Sequence, residues 1–352
     1  MTKSTAEKKE VLSNLIEQEL KPYVKKIDVD AFYAETFLRK LGESGLLSSV
    51  GRTRKEVVLD EVSIISETAK TCMTTAFCLW CHLAAVSYIR NTENEQLRED
   101  LLEQLENGSM LGGTGLSNPM KYYAGLENLN LKAERTEDGY LVSGVLPSVS
   151  NLGKDHSFGL VASLNDKERI MCFVSCSSEG LSMKERSDYL GINGSATYAC
   201  VFKDVFVPDA RVVSKDADSF IEMVRPVFIA YQIPLGFGVT EASIRSIEKV
   251  CNKQNGCNQY LQTQPNELKE AKIGFEKDLQ DMIQSDTFDW KELAKIRLSM
   301  AYLTLSAVQT AMLHNGSAAY LNASPSARRL REAYFFANLT PTIKHLEKVL
   351  SS

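Results

Sequence analysis

The segment Cys78-Leu-Trp-Cys81-His82 has the residue types and the spacing that attach a haem covalently in c-type cytochromes. Such a motif requires an exposed cleft, whereas residues 73–89 are apolar on all sides and are predicted to form a buried helix. A zinc site would also need a second pair of ligand residues, and the sequence offers no such pair to complete it. We therefore interpret both cysteines as buried thiols and expect no metal.

A second stretch of interest, Gly112-Gly-Thr-Gly115, has the glycine density of a phosphate-binding loop. No strand is predicted before it, and neither a helix start nor a Gly-Lys-Ser/Thr sequence is predicted after it. The dinucleotide pattern Gly-x-Gly-x-x-Gly is absent from the chain. We interpret the stretch as a loop whose backbone passes close to a flat ligand.

Residues 111–213, which contain this loop, differ from the rest of the chain in their periodicity. Short β-branched and aromatic runs alternate there with turn residues, which is typical of strands. The turn Thr136-Glu-Asp-Gly139 predicts a hairpin, and Pro208 ends the last run. The predicted strands cover residues 129–134, 139–144, 158–163, 170–174 and 199–208.

Helical patterns flank this β region on both sides. Four or five amphipathic or buried helices are predicted before it. After it, the pair Arg225-Pro226 favours a helix that begins close to Val224, because proline is tolerated best in the first turn. Gly236 and Gly238 predict a small-residue face for close packing. The helices predicted in this second flank cover residues 221–251, 266–283, 289–319 and 326–350.

Composition places the chain among ordinary globular proteins. It has 352 residues, of which 44% are hydrophobic and 24% charged, and a net charge of -5. This length allows two or three domains, and the charge gives no reason to expect a nucleic-acid partner. The first ten residues are polar, so neither secretion nor a membrane is expected. Eight cysteines without a secretion signal indicate reduced thiols and a cytoplasmic location.

Six short motifs follow one another in the order of the predicted elements: Gly115-Leu-Ser-Asn-Pro119, Asp138-Gly-Tyr-Leu-Val-Ser-Gly144, Ser148-Val-Ser-Asn151, Phe202-Lys-Asp-Val-Phe-Val-Pro208, Arg225-Pro226 and Arg329-Leu-Arg-Glu-Ala333. Together with the order of helices, β region and helices, these motifs resemble the acyl-CoA dehydrogenase superfamily. The first resembles its small-Leu-Thr-Glu-Pro loop, and the third stands where the family has Trp-Ile-Thr-Asn. The resemblance covers nearly the whole chain.

This resemblance implies an α+β multidomain protein. It predicts an N-terminal helical domain in residues 1–110, a central β-barrel-like domain in 111–213 and a C-terminal four-helix bundle in 214–352. Residues 301–313 are nearly all apolar or small, which indicates burial in a bundle or in a subunit interface. Because family members assemble through this bundle, we expect a homo-oligomer, either a dimer or a homotetramer.

The resemblance also implies a flavin, normally FAD, between the β domain and the C-terminal helices. Ser117 and Ser150 stand where the family has threonines near the pyrimidine edge and N5 of the ring. His82 coincides with a family position near the flavin, and a hydrogen-bonded core histidine is the alternative. The cofactor-binding residues predicted in this way are Leu116, Ser117, Asn118, Ser148, Val149 and Ser150.

Several positions depart from the family pattern. Ser148 replaces the family's tryptophan, so one wall of the site is missing or is supplied by another residue. The segment Lys121-Tyr-Tyr-Ala-Gly125 replaces the Gly-Ser-Asp of the acyl-CoA side. Lys253-Gln-Asn-Gly256 lies where the family has an arginine for the flavin pyrophosphate, and Lys253 is its possible substitute. FMN, or reduced flavin supplied by a reductase, therefore remains an alternative cofactor.

The catalytic base of the family is not identifiable in this sequence. Its two alternative positions fall on Val224 and Thr340, and neither side chain can accept the α-proton of an acyl thioester. Glu222 and Glu241 lie on the same predicted helix as Val224, where an exposed carboxylate is the simpler interpretation.

Three functions are compatible with these features. The first is the α,β-oxidation of an acyl-CoA or related thioester, with an electron-transfer flavoprotein as partner. The second is a two-component monooxygenase that uses reduced flavin and O2, with a flavin reductase as partner and His345 as a candidate site residue. The third is a catalytically inactive, oligomeric binding subunit. The candidate catalytic residues are thus His82 and His345, and the substrate is not predicted.

Overall fold

The computed structural model describes residues 4–285 and 288–351. In these residues the chain forms α-helices in two flanks and β-strands between them, in the predicted order. The helices are α1 Thr5–Leu15, α2 Val24–Val29, α3 Glu35–Glu43, α4 Arg54–Thr71, α5 Met73–Asn91, α6 Glu95–Glu106, α7 Ser117–Tyr123, α8 Ala217–Ala230, α9 Ile233–Glu248, α10 Pro265–Gln284, α11 Trp290–Asn315, α12 Pro325–Asn338 and α13 Ile343–Leu350. The strands are β1 Gly112–Thr114, β2 Leu131–Arg135, β3 Gly139–Val149, β4 Ser157–Ser163, β5 Arg169–Ser175, β6 Leu181–Glu185, β7 Tyr198–Pro208 and β8 Val212–Ser214.

The strands form one eight-stranded sheet with the order β6-β7-β3-β2-β4-β5-β8, and β1 pairs with β4 in parallel. Neighbouring strands otherwise pair mainly antiparallel, through hairpins such as β2–β3 and β4–β5. In the described residues β6 and β8 do not pair with each other, so the barrel-like domain is open. The inward side chains of the sheet form their own hydrophobic core.

The stretch Gly112-Gly-Thr-Gly115 differs from its prediction as a loop. Gly112–Thr114 is strand β1, and helix α7 begins two residues after Gly115. A side chain at Gly113 would lie only 2.8 Å from the carbonyl oxygen of Ser150, which explains why glycine is required there. The glycines therefore let β1 pack against the segment that carries Ser150.

The helix predicted to begin near Val224 begins earlier, and this prediction was wrong. Asp216 caps the first turn of α8 with its side chain, and Pro226 lies inside the helix. The carbonyl that loses its partner to Pro226 belongs to Glu222, which is exposed and accessible to water. The helix then breaks after Ala230, and α9 starts afresh at Ile233.

The single last helix predicted over 326–350 is two helices, α12 and α13. Pro341 disfavours a helical conformation at Thr340 and has no N–H to donate, so the chain turns at this point. Thr342 then caps α13 through its side chain. The turn brings Thr340 back toward the sheet.

The two helical flanks share one hydrophobic core, which runs from Leu12 to Leu339. Gly238 packs against α4 and Gly236 against α11, as expected of a small-residue face. The stretch Ala217–Glu248 is apolar and long enough to cross a membrane by composition, but 89% of its apolar window is buried inside the protein, as in a core helix.

Candidate active site

A cavity of about 210 Å³ lies between the sheet and helices α5, α8 and α12; we call it the central cavity. It contains three of the residues predicted from the sequence, Ser117, Ser148 and Ser150. A larger groove of about 620 Å³ lies beside β8 and the start of α8, but it contains none of them. The central cavity is lined by Phe77, Trp80, Cys81, Thr114, Ser117, Ser148, Ser150, Tyr189, Ile192, Thr197, Phe228, Phe335, Asn338, Leu339 and Thr340.

Hydroxyl groups form one edge of the central cavity. The hydroxyls of Ser150 and Thr197 are 2.7 Å apart, and those of Ser117 and Thr340 are 3.0 Å apart. Each pair joins two segments that are distant in the sequence. Thr114 shares a hydrogen bond of 2.8 Å with the buried Tyr88 hydroxyl. Because hydroxyls can donate or accept, this edge can adapt to either kind of polar atom on a ligand.

Aromatic side chains form an apolar wall of the cavity. Phe77 and Trp80 of α5 stack with ring centroids 5.6 Å apart, and each makes an edge contact with a ring from another helix. Phe335 of α12 lies 4.7 Å from Phe77, and Phe228 of α8 lies 4.8 Å from Trp80. The Trp80 indole N–H donates to the Phe228 carbonyl, which holds the ring in place. The wall is thus apolar and braced by three helices.

Tyr189 lines the cavity next to Ser148, the residue that replaces the family's tryptophan. Its phenol oxygen lies 3.1 Å from the Ser148 hydroxyl. Asn193 holds the Tyr189 backbone from both sides, since it accepts from the N–H and donates to the carbonyl, each at 2.9 Å. An aromatic side chain from the loop before β7 therefore stands at the wall that the sequence left open.

The other predicted cofactor residues do not present side chains to the cavity. Leu116 and Val149 are buried in the two hydrophobic cores. The Asn118 side chain donates to the Asn128 carbonyl and to Glu127, and it accepts from the backbone N–H of Asn130. Asn118 therefore shapes the loop before β2.

His82 is a hydrogen-bonded core histidine and does not line the central cavity. Its Nε2–H donates to the Leu105 carbonyl at 3.0 Å, and its Nδ1 accepts from the backbone N–H of Gly112 at 3.1 Å. Burial lowers the pKa of His82 to about 3, so the ring stays neutral. Its contact with Gly112 positions β1, and Thr114 at the end of β1 lines the cavity.

His345 lies outside the central cavity as well. It lines a smaller cavity of about 60 Å³ together with Arg225 and Trp290. The ring is 5% exposed, and its Nδ1 has no hydrogen-bond partner among the described residues. Burial, assisted by Lys121 and Lys348, lowers the pKa of His345. It is therefore a buried histidine beside the site, and the surface position considered from the sequence does not apply.

No carboxylate and no histidine lines the central cavity in the part of the chain that the structure describes. Thr340, the later base position, lies at its edge, whereas Val224, the earlier one, is buried outside it. Glu222 and Glu241 pair with arginines of their own helices. These positions leave Cys81 and Tyr189 as the ionisable lining groups, and burial raises the pKa of Cys81 well above its ordinary value.

The donor set fits the ring system of a flavin. A flat heterocycle with one polar edge can place that edge against the hydroxyls and its face against the aromatic wall. The cavity, at about 210 Å³, is smaller than the 300–1,000 Å³ typical of sites for drug-sized ligands, which suits a ring system rather than a whole dinucleotide. Lys253, the substitute considered for the pyrophosphate arginine, is exposed and does not line this cavity.

Sequence reasoning missed most of the apolar lining and several hydroxyls. Phe77 and Trp80 belong to a helix that is apolar on every side, so the pattern does not distinguish the cavity face from the core. Tyr189 and Thr197 lie in an irregular segment without a periodic signal. Thr340 had been singled out only as a position that lacks a base, and Trp80, Cys81 and Thr114 had been named only as members of longer motifs.

Comparisons with known proteins agree with this architecture. Residues 2–109 match the family model for the acyl-CoA dehydrogenase N-terminal domain. The chain is 24% identical to an acryloyl-CoA reductase (NADH) of Anaerotignum propionicum over 94% of this chain and 90% of that protein. It is 25% identical to a short-chain specific acyl-CoA dehydrogenase of Clostridium acetobutylicum over 60% of this chain and 58% of that protein.

The fold is shared with butyryl-CoA dehydrogenase from Megasphaera elsdenii. The superposition covers 100% of this chain and 98% of that one, with a TM-score of 0.87 and 17% sequence identity. The family match at the N-terminus, the sequence similarity along the chain and the common fold all point the same way. The N-terminal part of this protein matches the acyl-CoA dehydrogenase N-terminal family, and the whole chain is similar in sequence and in fold to members of the acyl-CoA dehydrogenase superfamily.

Proposed function

We propose that this protein is a flavin-dependent oxidoreductase that binds the isoalloxazine ring in its central cavity. The observation that carries the proposal is the cavity itself, which combines several hydroxyls with a braced aromatic wall. The relatives along the chain are acyl-CoA reductases and dehydrogenases, which supports the same class of reaction. FAD is the proposed cofactor, with FMN as the alternative.

The hydroxyl pairs would hold the polar edge of the ring. Ser150 and Thr197 lie on one side and Ser117 and Thr340 on the other, and each hydroxyl can turn from its partner toward a ligand. Tyr189 would cover the ring from the solvent side through its contact with Ser148. A bound flavin supplies the two-electron redox centre, and the chain supplies its orientation and its shielding from water.

The proposed substrate is a small acyl thioester oxidised at its α and β carbons. Two similar proteins are named for short acyl thioesters, an acryloyl-CoA reductase and a short-chain specific acyl-CoA dehydrogenase, which supports a short acyl group. In this reaction a base must take the α-proton, and the described lining has no carboxylate to do so. An electron-transfer flavoprotein would be the partner, in a cytoplasmic homo-oligomer.

The second candidate is a monooxygenase that uses reduced flavin and O2. Thr340 at the position of the family's base favours it, because this chemistry needs no protein carboxylate. A separate flavin reductase would then be the partner. His345 can act in it only through Thr340 and Pro341, since its ring lies in the smaller cavity beside them.

An anaerobic titration of the flavin-loaded protein with short acyl-CoAs separates these functions. Bleaching of the visible flavin absorbance by any thioester is the result expected of a dehydrogenase. Bound flavin that no thioester bleaches, but that reacts with O2 once reduced, would favour the monooxygenase. Protein that binds neither FAD, FMN nor reduced flavin would overturn the proposal and leave an oligomeric binding subunit.

A matched pair of variants tests the location of the flavin. Ser150→Val replaces one hydroxyl at the cavity by two methyl groups, so the affinity for flavin should fall by about tenfold, as expected for the loss of one hydrogen bond. Ser182→Val makes the same change on the exposed edge strand β6 and should leave the affinity unaltered. Equal affinities in both variants would remove Ser150 from the site.

A further inference from the structure

The most unusual polar group outside the central cavity is the imidazole of His156. The side chain is completely buried, yet its Nε2 has no hydrogen-bond partner among the described residues. Its Nδ1 lies 3.0 Å from the carbonyl oxygen of Asn151, so Nδ1 carries the proton and donates it there. In the neutral ring, Nε2 therefore presents a lone pair.

Two carboxylates face this lone pair. Oε1 of Glu35 lies 3.8 Å from Nε2, and Oδ1 of Asp155 lies 3.9 Å from it. The three atoms all lie within 4.8 Å of one another. Three electron-rich atoms that converge without a bridging hydrogen repel each other, and a cation placed between them would remove this repulsion.

Arg39 neutralises only part of the cluster. Its guanidinium donates to Oε1 of Glu35 at 2.8 Å and to Oδ2 of Asp155 at 2.6 Å. It thereby holds both carboxylates in position and leaves Oδ1 of Asp155 turned toward the histidine. With a neutral His156, two carboxylates and one guanidinium sum to a single negative charge, which still attracts a cation.

We propose that Glu35, Asp155 and His156 bind a divalent metal ion of the zinc class. One nitrogen and two oxygens are a suitable donor set, and zinc takes such ligands at about 2.0–2.2 Å. Two atoms bound to one tetrahedral zinc ion are about 3.4 Å apart, so the histidine–carboxylate distances of 3.8 and 3.9 Å would have to shorten slightly on binding. The Nδ1 contact to a backbone carbonyl is the outer contact that orients metal-binding histidines.

The route to this site is open from solvent. The Asp155 and Glu35 side chains are 66% and 41% exposed, so they can adjust by rotation while the buried imidazole stays fixed. Water would complete the coordination on the exposed side. Arg39 would remain on Oδ2 of Asp155, the outer oxygen of that carboxylate, whereas Oε1 of Glu35, to which it also donates, would be shared between the guanidinium and the metal.

The site would join two parts of the fold. Glu35 belongs to α3 of the N-terminal flank, whereas Asp155 and His156 precede β4 of the sheet. His156 holds the Asn151 carbonyl, and Asn151 directly follows Ser150 of the central cavity. The metal would therefore stiffen the loop that carries Ser150, and its binding does not depend on the proposed flavin chemistry.

Binding of Zn2+ and Co2+ to the full chain tests the proposal. A Cys251→Ser, Cys257→Ser background removes the two exposed thiols, which could bind these ions themselves. Calorimetry should show one equivalent of Zn2+ per chain, and Co2+ should give an absorbance spectrum without thiolate charge-transfer bands. His156→Gln and Glu35→Gln should each weaken binding more than ~10-fold, because each removes a direct ligand.

His314→Gln is the matched control. His314 is also a buried histidine with an unpartnered nitrogen, but it belongs to no cluster of metal-ligating side chains in the described residues. Its variant should bind the metal like the parent protein. Glu35→Gln changes a half-exposed residue, so it keeps the test valid if His156→Gln fails to fold. Two results would overturn the proposal. One is wild-type protein that binds no stoichiometric metal, which is the result expected if a proton occupies the cluster. The other is unchanged metal binding in Glu35→Gln.

Discussion

At the scale of single residues, the polar groups that line the central cavity are neutral. An acyl-CoA dehydrogenase needs a base there to take the α-proton of its substrate. Thr340 lies at the cavity edge, in hydrogen-bond contact with Ser117. A threonine hydroxyl can orient a ligand but cannot accept a carbon-bound proton. The residue at this one position therefore decides which of the two proposed reactions the cavity can support.

Thr340→Glu should create the missing base. A carboxylate at the cavity edge is expected to accelerate the anaerobic bleaching of bound flavin by short acyl-CoAs by about 10²–10⁴-fold, the usual contribution of a positioned general base. Stopped-flow absorbance measures this rate. Thr340→Gln has the same size without the charge and should remain slow; equal rates in the two variants would argue against Thr340 as the base position.

His82 provides a test of pH dependence. The folded protein holds its pKa at about 3 through burial, whereas the unfolded chain has the ordinary value of 6.5. Between these values the unfolded state binds one more proton, so the free energy of unfolding must fall as the pH falls, by at most about 1.4 kcal/mol per pH unit.

Removing this histidine should flatten the pH profile. His82→Gln is expected to lose less stability than the wild type between pH 7 and about pH 5, although it can be less stable at both. Urea unfolding at each pH gives the two profiles. Parallel profiles would show that His82 is not the buried neutral group responsible.

At the scale of elements, the break between α8 and α9 contacts the break between α12 and α13. Gln232 lies between α8 and α9, and Thr340 lies between α12 and α13. The Gln232 side-chain N–H donates to the Thr340 carbonyl at 2.9 Å. Arg297 of α11 donates to the Gln232 side-chain oxygen at 3.1 Å and to the Phe336 carbonyl. Burial without a carboxylate partner lowers the pKa of Arg297 to about 9. The buried side-chain amide of Gln232 thus links both helix breaks to the buried guanidinium of Arg297.

Gln232→Leu should disturb both breaks together. It leaves the Thr340 carbonyl and an Arg297 donor without partners, and each buried unsatisfied group costs about 1–3 kcal/mol. We expect a lower melting temperature and weaker flavin binding, measured by calorimetry and by fluorescence titration.

Gln232→Glu separates the two contributions. A glutamate gives Arg297 a counter-ion but cannot donate to the Thr340 carbonyl, so stability should recover relative to Gln232→Leu while flavin binding stays weak. Wild-type flavin affinity in both variants would show that the Thr340 turn holds its position without Gln232.

At the scale of the whole molecule, the helical flanks fold around one shared core, and the sheet has a second core of its own. Several large apolar side chains remain exposed, and three of them lie near the end of α11 and just beyond it. Leu313, Tyr320 and Leu321 are 68%, 87% and 67% exposed. Exposed apolar side chains can be covered by another subunit, so these three residues are where we predict an interface of the expected homo-oligomer.

Leu313→Lys should therefore weaken self-association. A charge in the covered surface is expected to shift the protein toward a smaller species in sedimentation velocity. Val50→Lys is the control, because Val50 is 79% exposed on the N-terminal flank, away from this cluster. An unchanged sedimentation coefficient for Leu313→Lys would place the interface elsewhere or leave the chain a monomer.

The local pattern of the sequence determined the order of elements. Alternation with period two and repetition with period 3.6 depend on near neighbours only, so helices, sheet and helices could be predicted in sequence. Motifs within short segments likewise located Ser117, Ser148 and Ser150 at the cavity. These features need no knowledge of contacts between distant residues.

Tertiary structure alone decided what surrounds those serines. Thr197 and Thr340 reach them from segments 47 and 223 residues away, which no local pattern encodes. The same is true of His82, whose motif suggested a ligand while its packing against Gly112 makes it a core residue. The reason is physical: a side chain's role depends on which groups desolvate and hydrogen-bond it, and folding brings most of those groups from far along the chain.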